Sequence, residues 1–568
     1  MHTKRRQMTG SSWGAGMRSS GQGLVILLGL LGCWQTCQAA DFACPAGDVA
    51  CLIEAINTAN GNGQTNTIRL EAGTYTLTKV HNGTGGDTNG LTVIMSPLTI
   101  MGAGAETTII ERDTSAPEFR LLKVAETGTL TLKGLTLRGG ESIGDGGGIY
   151  NSGTLTLTHC TLVHNMTSLV NLGGTYGGGI YNGGTLTLTH CTLAYNMAGG
   201  GGGIYNGGTL TLTHCTLASN TARKNGGGGI ANDGTLTLTH CTLASNAAGG
   251  YGGGGGIDNS GTLTLINCTL AHNTGIDGGG ILNVGGTLTL TNCTLAHNLA
   301  YNTAGGYGGG INNVDGSVTL QNTILALNGQ ADECFGGVTS LGTNLIGDAP
   351  GCAITRPQGI SDPTGDPGLD TFTDDGTPGH GHFPLLPTSR AIDAGHDAAC
   401  PPTDQVGQPR AGRCDIGAME FQPLDTTPPV ITITATPETL WPPNGKMVSV
   451  TIVGTITDAG SGVDPRTATY AVTDAYGSVQ PSGPITFGAN GSYVFTISLR
   501  ASRNGNNKDG RQYLITVSVQ DNAGNTGAAA TGVTVPHAQR QNKGRHPRLR
   551  GLSAMAGSAG SARRSLSQ

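Results

Sequence analysis

Residues 146–165 read GGGIYNSGTLTLTHCTLVHN, and variants of this phrase fill the chain as far as residue 328. The cysteine position returns every 24 to 31 residues, with Thr323 in the last copy and Leu135 in a degenerate early copy. The cysteines are Cys160, Cys191, Cys215, Cys241, Cys268 and Cys293. A period in the twenties indicates a solenoid, in which each repeat buries its apolar side against its neighbours.

Strict alternation within the phrase places Leu155 and Leu157 on one side of a strand and the intervening threonines on the other. Cys160 and Leu162 alternate with the opposite parity, so a bend at Thr158-His159 is needed to bring all four side chains inward. The runs GGIYN, TLTLT and CTL then form three strands per turn, stacked about 4.8 Å apart. The sequence therefore predicts an all-β parallel β-helix.

Two asparagines of the phrase also recur in every copy, and we predict that both form structural columns at corners of the coil, where Asn accepts left-handed backbone and stacks on its equivalents. The second column is Asn165, Asn196, Asn220, Asn246, Asn273, Asn298 and Asn328. We predict that the six cysteines form an inward column of buried thiols. A metal site with His159 and its equivalents is the alternative, but adjacent residues of a strand point to opposite faces.

Residues 1–40 are predicted to be a signal peptide, because basic residues precede the apolar run Leu24–Leu31 and small residues end at Ala40. A second interpretation stays open, since Leu30-Leu31-Gly32-Cys33 resembles a lipoprotein box that would place a lipid anchor at Cys33. In both cases the protein is expected outside the cell or at the cell surface, with no transmembrane helix in the mature chain.

The amino-acid composition limits the classes of partner that we expect. Only 12% of the residues are charged, 4% are aromatic, 98 are glycine and the net charge is −6, so nucleic acid is not an expected partner. Six cysteines outside the repeats lie in close sequence pairs, which an oxidising compartment would convert to disulfides. The pairs are Cys44 with Cys51, Cys334 with Cys352, and Cys400 with Cys414.

Residues 41–120 are predicted to hold an N-terminal cap, with a short helix from Asp41 to about Asn60, followed by the first coils. Cys51-Leu52-Ile53-Glu54-Ala55 resembles the cysteine-start motif of exported bacterial β-helices, with Ile53 where that motif has Arg. The layout resembles the pectin-lyase-like superfamily, and the Gly-Gly-Gly-Ile and Asn repeats of residues 121–330 resemble chlamydial polymorphic outer-membrane proteins. These resemblances imply a right-handed helix.

Residues 331–424 are predicted to be terminal coils and a cap. Gly365-Asp366-Pro367-Gly368-Leu369, Ala391-Ile392-Asp393-Ala394-Gly395 and Cys414-Asp415-Ile416-Gly417 resemble the choice-of-anchor Q region that ends many exported bacterial β-helix proteins. The acidic residues of these motifs are interpreted as turn and capping carboxylates.

Residues 425–536 are predicted to form an Ig-like β-sandwich after a linker that begins at Asp425, and residues 537–568 a basic disordered tail. Leu440-Trp441-Pro442-Pro443 and Asp521-Asn522-Ala523-Gly524 resemble bacterial Ig-like surface modules. The loop carboxylates of Asp458, Asp464 and Asp521 are candidate Ca²⁺ ligands, and ordinary turn carboxylates are the alternative. No other cofactor is expected.

The resemblances imply an exported protein but leave its activity open, because the pectin-lyase-like fold carries both enzymes and scaffolds. Acidic groups are rare in the repeats, and Asp233 with Asp258 is the best candidate catalytic pair. Tyr150, Tyr181 and Tyr205 share one outward position, so we expect a strip of rings that holds sugar faces. The expected function is a non-catalytic scaffold that binds extracellular glycans or mediates surface contact. The alternative is a polysaccharide lyase or glycoside hydrolase.

Overall fold

The computed structural model of the chain describes residues 40–168, 174–250, 252–301, 308–329, 332–359, 361–422, 425–478, 480–488 and 490–537. Contacts between Cα atoms divide the chain into two compact units, Met1–Phe421 and Gln422–Gln568. The predicted signal peptide and basic tail lie outside the described residues, except for Ala40 and His537.

The first unit is a parallel β-solenoid of about eleven turns. The first copy of the repeat forms four strands, Ile149–Asn151, Thr154–Thr158, Thr161–Val163 and Met166–Thr167. The first three match the predicted runs. The fourth was not predicted, because a two-residue strand is too short to leave a periodic pattern.

Equivalent strands pair turn upon turn. Those equivalent to Ile149–Asn151 are Leu122–Val124, Ile180–Asn182, Ile204–Asn206, Ile230–Asn232, Ile257–Asn259, Ile281–Val284, Gly308–Val314 and Asp332–Ser340. Those equivalent to Thr154–Thr158, here called the threonine sheet, are Asp41–Cys44, Asn66–Leu70, Pro97–Met101, Thr129–Lys133, Thr185–Thr189, Thr209–Thr213, Thr235–Thr239, Thr262–Ile266, Thr287–Thr291, Ser317–Gln321 and Cys352–Thr355.

The two remaining sheets complete each turn. Strands equivalent to Thr161–Val163 are Gly73–Leu77, Thr108–Arg112, Thr136–Arg138, Thr192–Ala194, Thr216–Ala218, Thr242–Ala244, Thr269–Ala271, Thr294–Ala296, Ile324–Leu325 and Leu345–Ile346. The two-residue strands are Glu141–Ser142, Met166–Thr167, Met197–Ala198, Thr221–Ala222, Ala247–Ala248, Thr274–Gly275 and Leu299–Ala300.

The core is the predicted set of inward columns. Leu155, Leu157 and Leu162 are fully buried, and Cys160 is 1% exposed. His159 has φ 50°, so the left-handed bend falls where the change of parity requires it. The six repeat cysteines are buried free thiols, and the hydrogen bond with the neighbouring Cys191 thiol together with burial raises the pKa of Cys160 well above its ordinary value.

The asparagine columns differ from the prediction in one respect. The second left-handed corner is His164 (φ 55°), and the same position is Tyr195, Ser219, Ser245, His272, His297 and Leu327 in later turns. Asn165 follows this corner and is fully buried. The asparagine therefore recurs because its amide satisfies buried backbone groups, and left-handed geometry at the asparagine plays no part.

The N-terminal end also departs from the prediction. Asp41–Cys44 is a strand, paired in parallel with Asn66–Leu70, and the helix spans only Val49–Asn62. Asp48 caps this helix by accepting a hydrogen bond from the Cys51 backbone N–H (2.9 Å), and Gly63 ends it with φ 68°. Across the described residues, no helix has the length and apolar character needed to cross a membrane.

The C-terminal part of the first unit contains both coils and a long segment without strands. Asp332–Ser340, Leu345–Ile346 and Cys352–Thr355 continue the solenoid. Residues 361–421, here called the flank segment, have no strand of their own and run back along the strands equivalent to Thr161–Val163. Gly379 N–H donates to Thr216 Oγ1 (2.8 Å) and Ala418 N–H donates to Thr294 Oγ1 (3.0 Å). The flank segment therefore covers the side of several turns as well as following the last one.

Three disulfides join Cys44 to Cys51, Cys334 to Cys352 and Cys400 to Cys414, as predicted from their sequence spacing. The first ties the N-terminal strand to the capping helix, the second joins two strands of the last coils, and the third closes a loop of the flank segment.

The second unit contains two small antiparallel sheets. One is formed by Val430–Thr436, Met447–Thr457 and Ser492–Arg500. The other is formed by Thr469–Asp474, Ser482–Pro484, Arg511–Gln520 and Thr526–Val535. A buried apolar core that includes Val450, Ile452, Tyr513 and Ile515 lies within this unit.

Candidate functional site

The outward position of the strands equivalent to Ile149–Asn151 changes character half-way along the stack. Register pairs Tyr150 with Tyr181, Tyr181 with Tyr205, and then Tyr205 with Ala231. The next turn has Asp258 in this position. The column thus passes from three aromatic rings to a methyl group and then to a carboxyl group.

The three tyrosine rings stack as predicted, with centroids 4.7 Å apart for Tyr150 and Tyr181 and 5.0 Å apart for Tyr181 and Tyr205. Their faces are occupied, however. Arg120 and Lys123 lie 5.2 and 5.3 Å from the Tyr150 centroid, and Tyr176 lies 4.8 Å from Tyr205. Sugar faces cannot stack on rings that are already stacked, so the contact predicted from the sequence is limited to ring edges and hydroxyl groups.

The small side chain of Ala231 leaves a notch where the tyrosine column ends. A cavity of about 200 Å³ opens there, and it is lined by Tyr176, Tyr205, Asn225, Ala231, Asp233 and Asp258. Tyr176 and Asn225 come from the loops that precede their strands. No sequence pattern indicated these two residues, because loop residues have no period from which a position on the surface follows.

Asp233 is held in place at the edge of the notch. Its carboxylate accepts hydrogen bonds from the Tyr205 hydroxyl (2.6 Å) and from the Ser260 hydroxyl (2.6 Å). Burial and the hydrogen bond to Asp233 raise the pKa of Tyr205 well above its ordinary value. These two hydrogen bonds fix the orientation of the Asp233 carboxylate at the edge of the notch.

Asp258 has a contrasting environment in the same notch. Its side chain makes no hydrogen bond or ion pair with any described residue. Burial, with smaller contributions from the Asp233 and Asp277 carboxylates, raises the pKa of Asp258 to about 7. Asp258 is therefore partly protonated near neutral pH, and the two acids face one cavity, as the sequence register suggested.

A second acidic cluster lies in the C-terminal unit. Carboxylate oxygens of Asp425, Asp458 and Asp521 all lie within 4.8 Å of one another. Asp464, predicted as a ligand, is not in this cluster, because it forms an ion pair with Arg466 (2.9 Å) and caps a short 3₁₀ helix. Asp425, predicted as the start of a linker, takes its place. Three carboxylates suit a hard cation such as Ca²⁺.

Both asparagine columns are continuous hydrogen-bonded ladders. In the second, each side-chain N–H donates to the Oδ1 atom of the next asparagine, from Asn165 to Asn328, at 2.9 to 3.0 Å. Asn328 then donates to the Glu333 carboxylate (2.7 Å), whose pKa burial raises to about 7. The first ladder runs from Asn151 to Asn313 with bonds of 2.7 to 2.8 Å. Both ladders are buried, so their amides offer no ligand surface.

The histidines that precede the repeat cysteines form a column of their own on the outside. Ring centroids of His159, His190, His214 and His240 follow one another at 4.9, 4.9 and 4.7 Å. The cysteines face the core, so histidine and cysteine do not combine into a metal site. We did not predict this stack from the sequence, nor its contact with the flank segment, where Gly379 lies against the backbone of His214 and His240.

Comparisons with known proteins add no identity to these geometric findings: no protein-family model matches the sequence, and a search of curated proteins finds no match either.

Proposed function

We propose that the protein is an exported scaffold that binds an extracellular glycan or mediates cell contact, and that its contact point is the notch beside Ala231. The notch carries this proposal, because it is the point at which the outward tyrosine column is interrupted. It combines aromatic edges from Tyr176 and Tyr205, the Asn225 amide and two carboxyl groups, which are the side chains that orient sugar hydroxyls in binding sites.

The localisation rests on the leader-like residues 1–40 and on the motifs of residues 343–421 and 440–446. We propose on the same basis that the solenoid is a right-handed, pectin-lyase-like helix and that the second unit is Ig-like. These resemblances support export, since proteins with such modules act outside the cell, whereas they do not name a ligand.

A carbohydrate-active enzyme is the second candidate, and one observation favours it. Glycoside hydrolysis needs one carboxyl group that stays protonated and one that is ionised. Asp258, with its pKa raised to about 7, suits the general acid, and Asp233, held by the Tyr205 and Ser260 hydroxyls, suits the nucleophile or base. The scaffold remains the preferred function because so few polar groups surround this pair.

One experiment separates the two candidates. The purified protein is screened against a glycan array, and the glycans that bind are then incubated with it and assayed for released reducing ends or unsaturated uronates. The scaffold proposal expects binding without release. Release that disappears in both Asp233→Asn and Asp258→Asn would replace it with the enzyme.

We also propose that Asp425, Asp458 and Asp521 bind Ca²⁺ in the C-terminal unit. Hydrogen bonds from the Ser461 and Thr427 backbone N–H groups hold the pKa of Asp425 well below its usual range, so this carboxylate is ionised at neutral pH. A divalent cation would relieve the repulsion among three clustered carboxylates.

A further inference from the structure

The outward face of the threonine sheet is a two-dimensional array of one residue type. Six successive turns, from Thr154–Thr158 to Thr287–Thr291, contribute it. Its members are Thr154, Thr156, Thr158, Thr185, Thr187, Thr189, Thr209, Thr211, Thr213, Thr235, Thr237, Thr239, Thr262, Thr264, Thr287, Thr289 and Thr291. Ile266 occupies the remaining position, so this face carries no charge.

The hydroxyl groups of this array are unpartnered across the part of the chain that the structure describes. None of them makes a side-chain hydrogen bond with any described residue. The neighbouring sheet is different. There Thr216, Thr242, Thr269 and Thr294 are buried, and each hydroxyl bonds to the flank segment. Threonines that the chain covers are therefore hydrogen-bonded, whereas those of the array leave both hydroxyl and methyl groups to an external partner.

The array is regular in both directions. Every pairing from Thr154 to Thr291 keeps its register, so each threonine lies directly above its equivalent. Strands are about 4.8 Å apart, and alternate residues along a strand are about 6.6 Å apart. The six turns therefore present a net of roughly 24 by 13 Å. Continuous side-chain ladders of this kind favour a flat sheet.

We propose that this face binds the surface of ice. A flat, uncharged net that repeats in two directions complements an uncharged partner surface that also repeats in two directions. A single dissolved glycan chain repeats in only one direction. The prism face of hexagonal ice repeats its oxygen atoms on a rectangular net of comparable spacings. The threonine methyl groups order water in cages between the columns, and the unpartnered hydroxyls anchor that water by hydrogen bonds.

The test measures ice growth with the full chain. Thermal hysteresis, which is the gap between the melting and growth temperatures of ice, and the rate of ice recrystallisation are measured. The proteins compared are the unchanged protein, Thr156→Lys/Thr187→Lys and Thr161→Lys/Thr192→Lys. The second pair makes the same change on the same two turns, at half-buried outward positions of the neighbouring sheet. Thermal unfolding of all three confirms that each is folded.

The expected result is inhibition of ice growth by the unchanged protein and by the control pair. The Thr156→Lys/Thr187→Lys protein should need a concentration at least about tenfold higher for the same inhibition. Its bulky charged side chains prevent the threonine array from contacting the ice surface. Ice growth unaffected by the unchanged protein overturns the proposal, as does equal inhibition by both pairs. Binding to an insoluble uncharged polysaccharide, lost only in the array pair and without any effect on ice, assigns the face to that polymer instead and also overturns it.

Discussion

At the residue scale, each asparagine of the ladders should contribute more to the free energy of unfolding than an asparagine that only occupies a turn. Asn220 is fully buried, and its side-chain N–H groups donate to Asn246 Oδ1 and to the Leu193 carbonyl oxygen, both at 2.9 Å. Its Oδ1 atom accepts from the backbone and side-chain N–H groups of Asn196 at 3.0 Å. One amide therefore satisfies buried polar groups on two neighbouring turns.

Replacing this amide is expected to be costly. Asn220→Ala removes four hydrogen bonds and leaves the buried Asn196 backbone N–H without a partner, which alone costs about 1–3 kcal/mol. We expect a loss of roughly 3 kcal/mol or more in the free energy of unfolding, comparable with the loss of about 2–5 kcal/mol for Leu212→Ala. Chemical unfolding provides the measurement. Thr211→Ala, on the outward side of the same turn, should change it by about 0.5 kcal/mol or less, and an equal loss there would contradict the inward assignment.

The repeat cysteines give a second prediction at this scale. All six thiols are buried, and the pKa values of five of them are raised, so the reactive thiolate is scarce at Cys160, Cys191, Cys215, Cys241 and Cys268. Alkylation followed by peptide mass spectrometry should leave all six unmodified in the native protein and modify all six in denaturant, with the three disulfide pairs protected throughout. Disulfides between repeat cysteines would show that the column does not keep its side chains parallel.

At the scale of elements, the histidine column should make stability depend on pH. Burial and the neighbouring His240 and His190 rings lower the pKa of His214 to about 4, and those of His190 and His240 are also lowered. His380, Asp404 and Arg410 of the flank segment act on the same column. Folding therefore favours neutral imidazole rings.

The sign follows from the unfolded pKa of about 6.5. Above that value the His214 ring is neutral in both states, while between about 6.5 and 4 the unfolded chain takes up the proton first, so stability falls as the pH falls. Asp258 and Glu333, with pKa values raised to about 7, have the opposite slope. The prediction is therefore a difference. The test variant is His214→Asn, because Asn267 and Asn292 already occupy this position in later turns. The decrease in melting temperature between pH 6.5 and pH 4 should be smaller for this variant than for the unchanged protein. Parallel losses would contradict it.

The carboxylate cluster of the second unit gives a further prediction for a single element. Ca²⁺ should raise the melting temperature of this unit, because it binds the folded form. Asp458→Asn should abolish the increase, whereas Asp464→Asn should preserve it, since Asp464 is engaged with Arg466. An increase that survives Asp458→Asn would show that the cation binds elsewhere.

The sequence predicted the features that depend on local patterns, and it did not predict contacts between segments that are far apart in the chain. Parity along Leu155 and Leu157 determined the inward columns, and the return of the phrase determined the stacking of Tyr150 on Tyr181. Contacts between segments far apart in the chain left no local pattern. The route of the flank segment past Thr216, the entry of Tyr176 into the notch and the participation of Asp425 in the carboxylate cluster are all of this kind.

At the scale of the whole molecule, a rigid solenoid offers a long surface whose features repeat, and a specific contact needs a place where the repeat is interrupted. The outward column that includes Ala231 supplies one, since its aromatic rings end there and the carboxyl groups of Asp233 and Asp258 face the notch. We propose that glycan binding depends on this notch.

Isothermal titration calorimetry tests that claim most directly, with a glycan selected from the array and three proteins: the unchanged chain, Ala231→Tyr and Ala194→Tyr. The first substitution fills the notch with a fourth ring of the tyrosine column, and the second adds the same ring at a half-buried outward position of another sheet. We expect Ala231→Tyr to weaken binding at least about a hundredfold, or about 2.7 kcal/mol, and Ala194→Tyr to bind like the unchanged chain. Undiminished binding by a folded Ala231→Tyr protein would contradict the account.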